Sequence, residues 1–183
     1  MEPLHIISHF YPANSEVYNI LVTHGHMVAE KSRQVALRLP ELQPDFDFIF
    51  ESAMLHDIGM IHTHAPGIGC TGKEPYIKHG ILGRQMLEKE GWPQHALVCE
   101  RHIGTGLTKE IILRHGLPLP ARDMRPQSLE EKIICFADKF YSKNRNYLEK
   151  EKSVDQIVHS LKKHGQEVAE QFQIWLREFK EIE

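Results

Sequence analysis

Apolar residues recur along most of this chain at steps of three, four or seven positions, the spacing that places them on one face of an α-helix. The first such stretch begins after Ser15, a suitable N-cap, and is predicted to run to Leu39, before Pro40 stops it. Strand-like alternation persists nowhere. The apolar stripe of this first helix comprises Val17, Ile20, Leu21, Val28, Val35 and Leu39.

Capping residues, prolines and glycines bound the further helices that the pattern predicts. From Ser153 to the end the chain is expected to form one or two amphipathic helices, broken at Gly165. We therefore predict an all-α fold in one domain, 1–183, with a core at about 15–142 and C-terminal packing helices at about 153–181. The other predicted bounds are Pro44 to Gly59, Pro75 to Glu90-Gly91, Pro93 to Gly104, Thr108 to Gly116, and a start at the capping box Ser128 with Glu131.

The stretch from Met60 to Glu74 lacks periodicity and carries Pro66 and three glycines. An aperiodic segment of this length inside a compact domain is commonly a lid or a binding loop. We therefore expect a loop of that kind, although a plain surface connection explains any one of its residues equally well.

Composition narrows the class of protein. A formal charge of −3 and a pI near 6.5 argue against binding a nucleic-acid polymer through general basicity. No apolar stretch suits a membrane span, and the N-terminus lacks the layout of a signal peptide. Three widely spaced cysteines, Cys70, Cys99 and Cys135, indicate free thiols in a reducing compartment. We therefore expect a cytoplasmic protein with neither a membrane nor a nucleic-acid polymer as its partner.

Histidine and aspartate interrupt the apolar stripes of five predicted helices. His24 falls on the stripe between Leu21 and Val28, whereas His26 lies about 200° round the helix and should face water. His95, in the first turn of its helix, is expected to cap it or to face solvent. One inward histidine is more often a core residue than a ligand, but burying several polar groups without partners is costly. The inward candidates are His24, His56, Asp57, His79, His102 and Asp138.

Four histidines and two aspartates exceed what one metal ion requires. They suit two ions about 3.5–4 Å apart that share a bridging carboxylate. Asp57, next in the chain to His56, is the expected bridge and the expected catalytic residue. Two divalent ions lower the pKa of a bound water and clamp the oxygens of a phosphate, so this pattern favours phosphate hydrolysis.

The tetrapeptide at positions 56–59 reads HDIG. Together with the order of the six candidates, it resembles the HD-domain metal-dependent phosphohydrolase superfamily in its six-ligand, two-metal form. The runs Arg101 to Glu110 and Leu129 to Lys139 resemble small stand-alone HD hydrolases of this superfamily. The resemblance spans roughly residues 15–142 and implies an HD-domain helical bundle.

The resemblance also implies how the ligands divide and which metals they hold. Iron or manganese is favoured, while zinc, nickel and magnesium remain open alternatives. His26, His62 and His64 are expected to lie outside the ligand set. The implied ligands are His24, His56, Asp57 and Asp138 for one ion, and Asp57, His79 and His102 for the second.

One position departs from the family pattern. Many HDIG proteins carry a lysine directly after the glycine, where this chain has Met60. Another cation would then have to contact the phosphate, although each candidate could equally be a solvated surface charge. The candidates are Lys139, Arg101, Lys109 and Lys73.

The predicted function is a metal-dependent phosphohydrolase that cleaves a phosphate ester or anhydride of a nucleotide or other small molecule with metal-activated water. A dinucleoside polyphosphate is one option, because a similar six-ligand HD family cleaves diadenosine tetraphosphate. The alternative is an HD-fold mixed-valence di-iron oxygenase. Basic groups that face the metals favour phosphate, while a closed, uncharged pocket favours the oxygenase. A scaffold with a vestigial site is disfavoured because all six ligands are present.

Overall fold

Helices dominate the structure, a computed structural model in which residues 2–182 are described. This confirms the all-α prediction. None of the helices within that range is both long and apolar enough to cross a membrane. The helices are α1 Pro3–Phe10, α2 Glu16–Leu37, α3 Phe46–Leu55, α4 His79–Lys89, α5 Pro93–Arg101, α6 Lys109–Arg114, α7 Leu129–Asp138, α8 Val154–Lys162 and α9 Gln166–Glu178.

Side-chain oxygens start several of these helices where the sequence predicts. Ser15 Oγ accepts a hydrogen bond from the backbone N–H of Tyr18 at 3.2 Å, which caps α2. Asp45 accepts from the N–H of Phe48 at 2.9 Å and caps α3, and Thr108 caps α6 in the same way. Each cap satisfies an N–H that the first turn of a helix leaves without a partner.

The ends of α2 and α3 come earlier than predicted. Helix α2 ends at Leu37 rather than Leu39. Helix α3 ends at Leu55 rather than Gly59, because the chain tightens into a 3₁₀ turn over Ile58–His62. His56 and Asp57 therefore lie at the junction between helix and turn, where both side chains point into the interior.

Gly59 explains why that turn can pack directly on α4. A Cβ at this position would collide with the backbone of His79 and of Gly83. Only glycine allows so close an approach between two backbones. Because Gly59 allows this close packing, the carboxylate of Asp57 lies next to the start of α4.

The segment predicted as a loop without periodicity, from Met60 to Glu74, contains a small antiparallel hairpin. Its strands are β1 His64–Ala65 and β2 Cys70–Thr71, with His64 opposite Thr71. Two-residue strands are too short to show alternation in the sequence. The prediction is wrong for this backbone, while the proposed role as a lid or binding loop stays a prediction.

The predicted capping box at the start of α7 is only half formed. Ser128 Oγ accepts from the N–H of Glu131 at 3.1 Å, as expected. The carboxylate of Glu131 instead accepts from the N–H of Gln127 at 2.7 Å and from Arg101 at 2.8 Å. An arginine from another helix competes successfully for it, because charge-assisted hydrogen bonds are stronger than neutral ones.

Two apolar clusters fill the interior. One contains Val28 and the face of α7, and α9 covers it with residues such as Phe172. The other contains Leu21 and packs α1 and the 3₁₀ turn after Asp57 against α4. His24 lies between Leu21 and Val28 on α2, so the polar centre forms where the two clusters meet.

Candidate metal centre

The six predicted ligands converge on one buried centre, and most of them leave from the ends of helices. His56 and Asp57 follow α3, His79 is the first residue of α4, and His102 follows α5. Asp138 is the last residue of α7, and only His24 comes from the middle of a helix. None of the six is more than 8% exposed.

Three of the histidines are oriented by the same local device. The Nδ1–H group of each donates to the carbonyl oxygen three residues earlier: 2.6 Å for His56, 2.7 Å for His79 and 2.8 Å for His102. A carbonyl can only accept, so the proton lies on Nδ1 and the lone pair of Nε2 points into the centre. Backbone carbonyls hold metal-ligating histidines in this way.

The first group of potential ligands contains His24, His56, Asp57 and Asp138, whose donor atoms lie within 4.8 Å of one another. His24 Nε2 is 2.9 Å from Asp138 Oδ1 and 3.4 Å from Asp57 Oδ2. His56 Nε2 is 3.0 Å from the same oxygen of Asp57. Two imidazoles and two carboxylates thus face one small volume.

The second group contains Asp57, His79 and His102. Asp57 Oδ1 is 3.3 Å from His79 Nε2 and 3.5 Å from His102 Nε2. Asp57 therefore belongs to both groups, with Oδ2 facing the first and Oδ1 facing the second. This is the arrangement that a bridging carboxylate requires.

Unpaired polar atoms show that the residues fit metal ions. Nε2 of His56 and Oδ1 of Asp57 are buried without a hydrogen-bond partner among the described residues. The Nε2 atoms of His79 and His102 lie 3.0 Å apart. Since their protons lie on Nδ1, two lone pairs face each other, and these repel unless a proton or cation lies between them. Two cations, one in each group, would satisfy all of these atoms.

The structure separates the four cations predicted to contact the substrate. Lys139 lies at the centre, with Nζ 2.7 Å from Asp138 Oδ2 and a hydrogen bond to the carbonyl of His102 at 3.1 Å. Arg101 is instead paired with Glu131 at 2.8 Å. The remaining two, Lys109 and Lys73, have exposed side chains on the surface.

Lys143 is the cation that sequence reasoning missed. Its Nζ lies 2.7 Å from Asp57 Oδ2 and 3.8 Å from Asp138 Oδ1, and its side chain is 17% exposed. The available signal was electrostatic. Two buried carboxylates and a methionine at position 60 require positive charge from elsewhere, and the stretch after Asp138 is the most basic nearby.

Burial and charge set the protonation of the histidines. Burial lowers the pKa of His24 to about 4 and that of His79 to about 3, and it also lowers the pKa of His102. These three imidazoles are therefore neutral at pH 7, the form that binds metals. Burial alone would lower the pKa of His56 as well, but the adjacent Asp57 raises it to about 9, so without a metal His56 also carries a proton on Nε2, which a bound ion would displace.

The two carboxylates are kept ionised by their neighbours. Burial alone would raise both pKa values. His56 and Lys143 hold the pKa of Asp57 well below its ordinary value, and Lys139 and Lys143 do the same for Asp138. The centre therefore presents two anionic carboxylates at neutral pH.

The histidines predicted to lie outside the ligand set belong to neither group of potential ligands among the described residues. His26, His62 and His64 are exposed, as expected from the period of α2 and from the loop. The prediction that His95 caps its helix or faces solvent is wrong, because its side chain is only 7% exposed and pairs with Glu51. Its Nε2 lies 3.0 Å from the carboxylate of Glu51, which makes it a paired buried residue rather than a ligand.

Comparison with known proteins gives the family. The HD domain model matches residues 15–143, which include all six candidates. The chain therefore belongs to the HD-domain family, and this membership indicates a metal-dependent hydrolase. No solved structure matches the chain significantly.

Three relatives define how far the similarity reaches. An uncharacterised protein of Methanocaldococcus jannaschii is 36% identical over 64% of this chain and 64% of its own length. Two proteins named tRNA (cytidine(56)-2'-O)-methyltransferase are also similar. The one from Picrophilus torridus is 33% identical over 61% of this chain, and the one from Thermoplasma volcanium is 28% identical over 81%. The chain spans only 30% and 38% of those two proteins.

Proposed function

We propose that this chain is a phosphohydrolase that holds two divalent metal ions and cleaves a phosphate ester or anhydride of a nucleotide or other small molecule. The observation that carries the proposal is Asp57, a buried carboxylate whose two oxygens face two separate groups of potential ligands. Iron or manganese is the favoured metal.

The protein's own residues prepare this chemistry. Metal ions bound by the two groups would acidify water and withdraw charge from phosphate oxygens. Asp57 fixes the separation of the two groups through its Oδ1 and Oδ2 atoms. His79 and His102 are each held by a hydrogen bond to a backbone carbonyl, so their Nε2 atoms already point into the centre before a metal ion binds. Such preorganisation is the main source of catalytic power in phosphoryl transfer.

The charge around the centre favours hydrolysis of a phosphate over the alternative, a mixed-valence di-iron oxygenase. Lys139 and Lys143 both have their ammonium groups at the carboxylates of the centre. An anionic phosphate benefits from these cations, whereas a non-phosphorylated substrate of an oxygenase would not.

The relatives favour a second candidate substrate, a phosphate at the end of an RNA. Two similar proteins are named as tRNA methyltransferases, and the chain spans only part of each. A domain joined to a tRNA-modifying enzyme could process phosphate on the same class of molecule. The formal charge of −3 argues against tight binding along an RNA helix, so a small nucleotide remains our first candidate.

The test is phosphate release from a panel of nucleotides, dinucleoside polyphosphates and tRNA with phosphorylated ends, with manganese or iron supplied, under air and under argon. We expect equal release in both atmospheres from at least one class, and none from the Asp57→Asn variant. The His26→Ala variant should match the wild type, because His26 is exposed. No release from any compound, together with oxygen uptake, would replace the proposal with the oxygenase.

A further inference from the structure

Lys143 reaches the centre from a connection that the fold holds in place. This connection, residues 139–153, joins α7 to α8. Lys152, near the end of this connection, holds it against its beginning. The Nζ of Lys152 donates to the carbonyls of Lys139 and Tyr141 at 3.3 and 2.9 Å. Its backbone N–H also donates to the carbonyl of Phe140 at 2.8 Å. The position of Lys143 is therefore set by a closed loop of hydrogen bonds.

The two lysines at the centre are held differently. Lys139 is bonded to the carbonyl of His102 as well as to Asp138, and its side chain is 11% exposed. Lys143 contacts Asp57 and Asp138 through ion pairs, and its side chain is 17% exposed. Lys143 therefore extends from the solvent-accessible edge to a carboxylate that is itself fully buried.

The position after the HDIG glycine cannot supply this charge. Met60 is fully buried and packs in the apolar cluster with Ile58 and Leu55. A phosphate that approaches the centre would meet the negative charge of Asp57 and Asp138. A cation at the accessible edge removes that repulsion and offers three N–H donors to phosphate oxygens.

We propose that Lys143 is the phosphate-binding cation of this site and contacts the phosphate of the substrate. The inference rests on the proposed phosphohydrolase function. It assigns to Lys143 a contact with the phosphate rather than a structural role, so its removal should weaken phosphate binding while the metal-binding residues keep their positions.

The test measures binding of inorganic phosphate to manganese-loaded protein by calorimetry, in wild type and in the Lys143→Gln and Lys143→Arg variants. A charge-assisted hydrogen bond accounts for about a ten- to hundredfold loss in phosphate affinity in Lys143→Gln. Manganese content should not fall below the wild-type level, because the ammonium is not a ligand and its removal frees Asp57 Oδ2 for a cation. Lys143→Arg should restore much of the affinity.

Lys150→Gln is the matched control. Lys150 lies in the same connection but is exposed, with Nζ 5.9 Å from the ring centroid of Tyr147. This variant should bind phosphate as the wild type does. Equal phosphate affinity in Lys143→Gln and wild type would overturn the inference, as would loss of manganese in both Lys143 variants.

Turnover of the same proteins separates this inference from the proposed function. Hydrolysis by wild type with unchanged phosphate affinity in Lys143→Gln leaves the function standing and overturns the role of Lys143. Weakened phosphate binding in a protein whose wild type hydrolyses nothing supports the role of Lys143 and counts against the hydrolase. A wild type that neither binds phosphate nor hydrolyses overturns both.

Discussion

Helix α2 carries His24 and Lys31 among its buried polar side chains, and the surroundings of these two residues, one heptad apart, differ. Lys31 is 4% exposed and lies 2.6 Å from Glu151 and 2.5 Å from Glu181, with the ring of Phe140 below its Nζ. His24 is 1% exposed, and its Nε2 faces Asp57 and Asp138 beside His56, whose Nε2 has no hydrogen-bond partner among the described residues. The protein supplies all partners of Lys31 but only some of those that the centre around His24 requires.

The difference separates a structural cluster from a binding site. A buried charge whose partners all come from the chain joins elements, as Lys31 joins α2 to the connection after α7 and to the C-terminal end. Buried atoms that the chain leaves unpaired are costly unless a ligand completes them. Helix α2 thus contributes to both the structural cluster around Lys31 and the centre around His24, and a substitution can disrupt either one without the other.

The largest effect is expected for Asp57→Ala, which removes the one side chain shared by both ligand groups. Neither ion should remain tightly bound, and turnover should fall by about 10²–10³-fold or more, the scale of losing a preorganised electrostatic group. Metal analysis after gel filtration and initial rates measure both effects. Two ions retained by Asp57→Ala would contradict the bridge.

The single substitutions His79→Ala and His102→Ala should each remove only the ion of the second group. Both residues belong to the second group, while His24, His56 and Asp138 belong to the first. We expect one ion per chain and turnover reduced by at least about ten- to a hundredfold, with the fold retained. Circular dichroism and metal analysis of the same samples check this. Loss of both ions would show that the two groups are not separate.

Removing metal from the wild type should have a smaller effect, on stability. A ligand present at a hundred times its Kd stabilises a protein by about 2.7 kcal/mol. For a chain of this size, each kcal/mol corresponds to a Tm change of about 2–4 °C. The loaded protein should therefore melt several degrees above the chelated one. Asp57→Ala serves as the control, since chelation should leave its Tm unchanged.

The smallest effect on the centre is expected for Lys31→Met, which breaks the structural cluster instead. The side chain of Glu151 is 45% exposed and can return to water, so we expect a loss of only about 1–3 kcal/mol in the free energy of unfolding. Metal content and turnover below the melting temperature should match the wild type. A change in metal content would mean that the two clusters on α2 are coupled.

The burial of the six candidate ligands could be predicted from the sequence because helical periodicity indicates which side chains face the interior. His24 lies between Leu21 and Val28, and Asp138 ends a strongly apolar helix, so their burial follows from neighbours in the chain. That the two oxygens of Asp57 face two different groups of potential ligands is harder to predict from the sequence. It depends on the early end of α3 at Leu55, which no residue in that stretch signals.

Features that depend on distant partners could not be predicted in this way. Lys143 lies in an aperiodic connection, and its place is fixed by the hydrogen bonds of Lys152. His95 appeared suited to solvent because it begins a helix, yet Glu51, 44 positions earlier in the chain, pairs with it in the interior. Local patterns carry no information about such contacts.

Electron paramagnetic resonance of manganese-loaded protein tests most directly whether Asp57 joins two ions. Two Mn²⁺ ions bridged by a carboxylate are exchange-coupled, so wild type loaded with two equivalents should lose the six-line signal of isolated Mn²⁺ and show a coupled spectrum. His79→Ala, which keeps only the first group of ligands, should regain the six-line signal. An uncoupled six-line spectrum from fully loaded wild type would contradict a bridged pair of metal ions at this centre.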